Sequence, residues 1–333
     1  MLADILGQDK LAENFLNAWR RGRLAQAYIL SGPDGIGKTP FAAELAKTFL
    51  CREHGSDACE QCPSCRKANH GNHEDIEILE PETKGRVISR DAVHALIEAL
   101  RFKARSGEHR FVIIREADRL QEAAANHFLK TLEEPPTDVT FFLLTARLPA
   151  LVQTAETIVS RCQIVRMHRA ASAEIEGFLL DRGFAPEKAR LYASLSDGCP
   201  GRAANMEEAG VFERRERVLH RLLAVDRDNA IMAATEMLAA NKGKTTTQTR
   251  ENHCADLGLM AVLLRDMTLI AEGADNSLLY NPDVAGKMKQ RALASRAELL
   301  RRHTLHALET RNNIERFINP ELAISRLFLE LCN

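Results

Sequence analysis

The chain has 333 residues, of which 45% are hydrophobic and 27% charged, a composition typical of a globular protein with two or three domains. Its 45 basic and 46 acidic residues give a formal net charge of −1, which excludes a chain that is basic throughout. Aromatic residues make up only 5%, so we expect no surface that stacks single-stranded bases. No apolar run approaches the ~18 residues of a membrane span, and the N-terminus lacks a secretory pattern, so we expect a cytoplasmic protein without membrane contact.

Strand and helix signals alternate over the first 168 residues. Short apolar runs predict strands at 27–30, 76–78, 111–114 and 141–145, with those at 27–30 and 111–114 buried. Helical periodicity predicts helices at 9–24, 38–50, 89–103 and 119–132. The cysteine-rich segment after residue 50 is predicted to be an irregular loop. This alternation predicts an α/β domain, built on a mostly parallel sheet with helices on both faces.

Strand signals end near residue 168. Residues 172–208 are predicted to form a small helical bundle, and residues 211–333 are predicted to be wholly helical, with a polar loop at 241–250. We therefore predict three domains: an α/β domain at 1–168, a helical lid at 169–208 and a helical C-terminal domain at 209–333.

A complete G-x-x-x-x-G-K-T sequence follows the first predicted strand and opens the next predicted helix. This context makes a phosphate-binding loop credible, because glycines let backbone N–H groups surround phosphate oxygens at a helix N-terminus. Lys38 would reach the β- and γ-phosphates and Thr39 would hold Mg²⁺. The predicted nucleotide-binding residues are Gly32, Pro33, Asp34, Gly35, Ile36, Gly37, Lys38 and Thr39.

The residue that should complete a magnesium site is altered. A hydrolysing P-loop ATPase needs an acid at the end of a neighbouring strand, but Arg115 follows the strand at 111–114, and Glu116 comes where a water-activating base belongs. Asp118 lies past the strand end and is not expected to substitute. A guanidinium stays protonated and cannot bind a metal, so we expect ATP or ADP binding, disfavoured Mg²⁺ and feeble hydrolysis. In the alternative, Arg115 turns into solvent and the site hydrolyses ATP slowly.

Four of the eight cysteines fall within fifteen residues, and their spacing is typical of a metal site rather than of disulfides. Tetrahedral Zn²⁺ takes four thiolates, and four protein ligands leave no open position, so the site is predicted to be structural. The predicted ligands are Cys51, Cys59, Cys62 and Cys65. Three nearby histidines are expected to be surface residues instead: His54, His70 and His73.

Several segments together resemble bacterial clamp-loader subunits of the AAA+ family. The sequence NHFLKTLEEPP at 126–136 resembles their N-x-L-L-K-T-L-E-E-P-P signature, and residues 160–162 match their S-R-C motif. Residues 69–75 are similar to the segment after their zinc module, with Glu74 in place of the usual Pro, and residues 318–323 resemble their N-P-x-L-A-L segment. The resemblance is greatest to the delta-prime branch, because gamma/tau subunits keep an Asp-Glu pair where this chain has Arg115 and Glu116.

The resemblance implies an AAA+ module with a zinc insert at 51–65, a helical lid and a C-terminal collar that joins a hetero-pentameric ring with gamma/tau and delta subunits. In such rings an arginine of one subunit completes the ATP site of the next. The S-R-C match assigns that arginine finger to Arg161, and a finger neutralises charge on the γ-phosphate. The resemblance also gives Thr145 the sensor-1 position and Arg202 the sensor-2 position.

We therefore expect a subunit of the DNA-directed DNA polymerase III holoenzyme that helps load the sliding clamp onto primed DNA. On this hypothesis it acts in trans through Arg161, and its own ATP hydrolysis is weak or absent. One alternative is a gamma/tau-like AAA+ motor with an active ATPase site, which Arg115 counts against. Another is a zinc-containing DNA-binding module, which the neutral charge balance and low aromatic content count against.

Overall fold

The computed structural model describes residues 1–53, 55, 57–82, 85–101, 104, 109–134, 136 and 138–332. It divides into two compact units, each made of two segments of the chain. The first unit comprises Met1–Arg182 with Ser196–Ala204, and the second comprises Gly183–Leu195 with Asn205–Asn333. His54 and Pro135, which the sequence analysis discussed, lie outside the described residues. None of the helices in the described part is both long and apolar enough to cross a lipid bilayer.

The secondary-structure elements are numbered in chain order. The strands are β1 (Ala27–Ser31), β2 (Ile76–Leu79), β3 (Arg110–Ile114), β4 (Val139–Thr145) and β5 (Gln163–Arg166). The helices are α1 (Asp9–Arg20), α2 (Lys38–Phe49), α3 (Pro63–Asn69), α4 (Arg90–Leu100), α5 (Glu122–Glu133), α6 (Leu148–Val159), α7 (Ser172–Asp181), α8 (Pro186–Leu195), α9 (Pro200–Asn205), α10 (Val211–Ala224), α11 (Ala230–Ala240), α12 (Thr246–Ala271), α13 (Ala285–Ala294), α14 (Ala297–Glu315) and α15 (Pro320–Glu330).

The first unit is built on one parallel sheet with the strand order β2-β3-β4-β1-β5. Successive side chains of a strand point to opposite faces of the sheet, so each strand contributes to two hydrophobic cores. Ile29 and Phe141 pack with α4, α5 and α6 on one face, whereas Leu30 and Phe142 pack with α1 and α2 on the other. All four of these side chains are fully buried. The predicted α/β fold class, a parallel sheet with helices on both faces, is confirmed.

The second unit is helical throughout its described residues and has a core of its own. The long helix α12 lies at its centre and packs on α10, α13 and α14, while α11 packs on α15. Thr245 caps α12, because its side chain accepts a hydrogen bond from the backbone N–H of Gln248 at 3.1 Å. The predicted helical C-terminal region is therefore confirmed. The exact boundaries of the three predicted domains stay a prediction.

Two local predictions are wrong. The cysteine segment is not wholly irregular, because it contains the short helix α3, which begins at Pro63 with the Cys62 sulfur accepting from the N–H of Cys65. The polar segment at 241–250 is a loop only up to Thr245, since α12 begins at Thr246. In both cases a capping residue starts a helix within a sequence whose composition suggests a loop.

A buried carboxylate organises the chain that follows α12. Asp266 is fully buried and accepts hydrogen bonds from the backbone N–H groups of Tyr280 and Asn281, at 3.1 and 2.8 Å, and from the Asn281 side-chain amide at 2.8 Å. Its other neighbour is Arg265, whose guanidinium donates to it at 2.9 Å. Because Asn281 is buried and has no water to replace the carboxylate, Asp266 holds the loop after α12 in place.

We expect Asp266→Ala to lower the free energy of unfolding by about 2–4 kcal/mol, because it leaves several buried donors without an acceptor. Asp228→Ala is the control, since Asp228 is exposed and its loss should change stability by less than about 0.5 kcal/mol. Denaturant unfolding of both variants, followed by the helical circular dichroism signal, measures the difference. Equal midpoints for Asp266→Ala and the parent would contradict the role of this carboxylate.

Candidate nucleotide and metal sites

The predicted phosphate loop joins β1 to α2 and is held from one side by α9. Gly35 and Gly37 adopt positive φ angles of 82° and 102°, a conformation that favours glycine. The backbone N–H of Gly201 donates to the Gly35 carbonyl at 2.8 Å. A Cβ atom at Gly35 would lie 2.5 Å from the backbone nitrogen of Arg202. The close approach of α9 to the loop therefore requires glycine at position 35.

The lysine of the loop is folded inward. Lys38 Nζ donates to the carbonyl oxygens of Gly32 at 2.7 Å and Pro33 at 3.0 Å, and Asp34 lies 3.7 Å away. Burial lowers the pKa of Lys38, and the nearby carboxylates of Asp34 and Asp118 offset only part of this effect. The ammonium thus sits inside the turn where a phosphate group would compete with the carbonyls for it.

A cavity of about 680 Å³ opens beside the loop. Its size falls within the usual range of about 300–1,000 Å³ for small-molecule sites. Residues 34–40 form one wall. The remaining charged lining is mixed, with the basic residues Arg86, Arg115, Arg119 and Arg182 and the acidic residues Asp4, Glu44 and Glu116. Arg86 and Arg119 were not predicted from the sequence.

Arg115 occupies the position of the missing acid and is held there by an ion pair. Its backbone N–H donates to the Leu79 carbonyl at 2.8 Å, and its Nη1 donates to Glu80 Oε2 at 2.8 Å. Glu80 directly follows β2, so the two side chains come from the ends of adjacent parallel strands. The side chain also lines the cavity. A guanidinium, which cannot bind a metal, therefore follows β3 and pairs with Glu80 at the surface.

Glu116, at the position of the catalytic base, is engaged by two arginines. Both of its oxygens accept from Arg86 Nη2 at 3.1 Å, and Arg119 also pairs with it. Burial alone would raise the pKa of Glu116, but the hydrogen bonds from Arg119 and Arg86 hold it below its ordinary value. Because the Glu116 carboxylate already accepts hydrogen bonds from two arginines, we still expect that it does not act as a base.

Thr145 lies at the end of β4 and points its hydroxyl at Asp118. Thr145 Oγ1 donates to Asp118 Oδ1 at 2.8 Å, and Arg147 donates to Oδ2 from Nε and Nη2 at 3.0 and 2.7 Å. The 3₁₀ turn Ala117–Arg119 turns Asp118 back toward the sheet. Asp118, which was not expected to substitute for the missing acid, is thus paired with Thr145 and Arg147.

The two arginines carried over from the resemblance lie in different places. Arg202 is half-buried on α9, where its backbone packs against Gly35. Arg161 lies between α6 and β5, and its guanidinium is partly exposed. Arg161 Nη2 donates to Glu133 Oε1 at 2.6 Å, and Nη1 donates to the Thr157 carbonyl at 2.9 Å. Glu133 belongs to the segment at 126–136 that carries the resemblance.

The four predicted metal ligands come together. The sulfur atoms of Cys51, Cys59, Cys62 and Cys65 all lie within 4.8 Å of one another, and none of these cysteines is in a disulfide. Four ligands at about 2.3 Å from a central zinc ion are about 3.8 Å apart in a tetrahedron, so small side-chain shifts would give that geometry. Backbone N–H groups of Cys59, Cys62 and Cys65 donate to cluster sulfurs at 3.3–3.4 Å. The donor set therefore fits zinc.

The histidines near the cysteines differ from expectation in one case. His70 is exposed as predicted, but His73 is buried, so the prediction for His73 is wrong. Its Nδ1 accepts from the backbone N–H of Asp75 at 3.1 Å, and its Nε2 bonds the Ser64 hydroxyl at 2.9 Å. Ser64 in turn donates to the Leu50 carbonyl at 2.7 Å. Burial lowers the pKa of His73, and its two ring nitrogens link α3, through Ser64, to the chain before β2, through Asp75.

A parallel sheet that carries a complete phosphate loop at the carboxyl end of β1 defines the class of this molecule, a P-loop protein. Comparison of the sequence with models of known protein families identifies the family within this class. The profile described as "DNA polymerase III, delta subunit" matches residues 7–171, and the one described as "DNA polymerase III, delta subunit, C terminal" matches residues 211–332. The chain belongs to the DNA polymerase III delta-subunit family.

Individual relatives agree with this assignment. The chain is 28% identical to DNA polymerase III subunit delta-prime of Bacillus subtilis over 327 residues, which is 97% of this chain and 96% of the relative. It is 34% identical to the Pseudomonas aeruginosa delta-prime subunit over 60% of this chain and 61% of that protein. A tau subunit of B. subtilis is 32% identical over 52% of this chain, but over only 30% of its own length.

Proposed function

We propose that the chain serves as the delta-prime subunit of a bacterial clamp loader. It would occupy a hetero-pentameric ring with gamma/tau and delta subunits and help load the sliding clamp onto primed DNA. The observation that carries this proposal is a contrast within one domain. Its own phosphate loop shares a cavity with Arg115, while Arg161 has a partly exposed guanidinium on the surface.

The parallel register of the sheet supports action in trans. Strand β5 runs parallel to β1, with Gln163 beside Tyr28 and Arg166 beside Ser31. Arg161 precedes β5, so it lies near the amino ends of the strands, whereas the phosphate loop follows β1 at the carboxyl ends. The two ends of β1 are about 13 Å apart at a rise of about 3.3 Å per residue. The Arg161 guanidinium is therefore better placed to meet the nucleotide of a neighbouring subunit than its own.

The chain's own site is proposed to bind ADP or ATP weakly and to turn it over slowly or not at all. Lys38 and the backbone of the loop would hold the phosphates, and Thr39 offers a hydroxyl for Mg²⁺. Arg115, Arg86 and Arg119 would neutralise phosphate charge from the opposite wall. A nucleotide with bound Mg²⁺ would there meet a guanidinium instead of a carboxylate ligand.

The four cysteines are proposed to hold one structural Zn²⁺. The ion would cross-link the end of α2, through Cys51, to the segment around α3. Four sulfur ligands leave no position for substrate or water, so the metal would act through the fold and not through catalysis.

Metal analysis of the chain purified without chelators should find about one zinc per chain, because four thiolates complete a tetrahedral site. Replacing Cys59 and Cys62 together by serine should remove the zinc and lower the thermal stability of the first unit. A Cys254→Ser variant is the control, since Cys254 lies outside the cluster and should keep the metal. Unchanged zinc content and stability in the Cys59/Cys62 double variant would show the structural-site proposal to be wrong.

Nucleotide binding by the isolated chain should depend little on Mg²⁺, because Arg115 and its arginine neighbours replace the cation's charge. Arg115→Asp restores a carboxylate at the end of β3 and should make the affinity for ATP depend on Mg²⁺. Titration of both proteins with a fluorescent ATP analogue, with Mg²⁺ and with chelator, measures this change. Rapid Mg²⁺-dependent turnover by the parent chain would contradict the proposal of a weak site.

Arg161→Ala should leave the chain folded and its own nucleotide binding unchanged, since Arg161 is a surface residue at the far end of β5. It should reduce clamp- and DNA-stimulated ATP hydrolysis by the assembled complex. At the one affected site the loss should approach the roughly 10³–10⁵-fold effect of other arginine fingers. Sites that use fingers from other subunits should persist, so the total loss is partial unless the sites are tightly coupled.

Two further variants make the Arg161 result decisive. Arg101→Ala is the matched control, because Arg101 also forms an exposed ion pair, with Glu98 at 3.0 Å, and should leave the complex fully active. Lys38→Ala distinguishes the gamma/tau-like alternative, since it damages only the chain's own phosphate loop. Loss of activity with Lys38→Ala but not with Arg161→Ala would make this chain a motor subunit.

A further inference from the structure

Lys47 is a buried cation in the last turn of α2, with only 4% of its surface exposed. Its Nζ lies 2.8 Å from Glu44 Oε2 and 2.7 Å from Glu60 Oε1, and it donates to Asn69 Oδ1 at 2.9 Å. Burial of an ammonium group is costly unless acceptors replace its water. Three acceptors from three different parts of the chain surround this one.

These acceptors connect α2 to both halves of the cysteine cluster. Glu60 lies in the turn between the ligands Cys59 and Cys62, whereas Asn69 ends α3, which carries Cys65. The Asn69 side-chain amide also donates to Glu60 Oε2 at 2.5 Å, so the two acceptors are bonded to each other. The ammonium group of Lys47 on α2 therefore contacts both the turn between Cys59 and Cys62 and the end of α3.

Neighbouring contacts fix the same segments but do not reach Glu60. The Thr48 hydroxyl donates to Asp57 Oδ1 at 3.2 Å, and the Ser64 hydroxyl donates to the Leu50 carbonyl at 2.7 Å. These bonds hold the chain before Cys59 and the start of α3. The turn at Glu60, which has a positive φ of 62°, depends on Lys47 and Asn69 for its side-chain contacts.

We propose that Lys47 is a positioning residue for the cysteine cluster, holding the turn between Cys59 and Cys62 against α2 so that a bound zinc ion is released slowly. The inference rests on the zinc site proposed above. Partners that orient metal ligands typically contribute about 10- to 100-fold to metal affinity. Lys47 would act through Glu60 and not by contact with the metal.

The test measures zinc release from the full-length, zinc-loaded chain into an excess of a chromogenic chelator. Lys47→Met keeps the length of the side chain but removes its charge, and it should speed release by about tenfold or more. Lys67→Met is the matched control. Lys67 also lies on α3, the helix that carries Cys65, but its partner is Glu74 and its side chain is 44% exposed. The rate of zinc release from this variant should therefore stay within about twofold of the parent.

A double-variant cycle separates positioning from general loss of stability. Glu60→Gln should speed zinc release to a similar extent, and combining it with Lys47→Met should add little, because both changes remove one interaction. The single tryptophan reports on folding, since Trp19 stacks on Phe49, two residues after Lys47, at 4.7 Å between ring centroids. Native-like tryptophan emission in all variants would show that α2 remains packed.

Each outcome has one meaning. If Lys47→Met fails to fold, Glu60→Gln carries the test, because the Glu60 side chain is 34% exposed. Parental release rates for both Lys47→Met and Glu60→Gln would overturn the role of Lys47 while leaving the zinc site intact. A strictly additive double variant would also overturn it. A parent chain that binds no zinc would overturn the metal site itself, and this inference with it.

Discussion

The direction of the parallel strands determines what this molecule can do. Because β1 pairs in parallel with β4 on one side and with β5 on the other, the carboxyl ends of all three strands lie together at one end of the sheet. The phosphate loop, Thr145 and Arg115 therefore meet at that end, as ligand sites do in open α/β sheets. Arg161 precedes β5 and therefore lies at the opposite end of the sheet, where the strands begin. One topological constraint thus separates the residues proposed to bind a nucleotide from the residue proposed to act on another subunit's nucleotide.

Basic and acidic side chains lie side by side at the carboxyl ends of the strands. The acid expected at position 115 is replaced by an arginine, yet acidic groups remain close at hand in Glu80, Glu116 and Asp118. Each of them is occupied by an arginine or by a threonine hydroxyl. The carboxylates at this end of the sheet therefore pair with groups of the protein itself.

Much of the first unit could be predicted because its signals are local. The apolar strands, the phosphate loop and the cysteine spacing each depend on a few adjacent residues, and these predictions match the structure. Strand β5 was not predicted, since its residues are largely exposed at the edge of the sheet and lack an apolar run. The pairing of Glu116 with Arg86 joins residues thirty positions apart, and no periodicity encodes such a contact. His73 was misjudged for the same reason, because its partners become neighbours only when α3 folds.

The contact between Gly35 and α9 has a topological consequence. The segment Ser196–Ala204, which contains most of α9, belongs to the same compact unit as the phosphate loop, although α8 before it belongs to the other unit. The chain therefore leaves the first unit, returns to it and leaves again. A fragment that ends at Arg182 would contain the entire sheet and every predicted phosphate-binding residue. It would nevertheless lack the glycine and backbone that close over position 35, so the compact unit that contains the predicted phosphate loop is discontinuous in sequence.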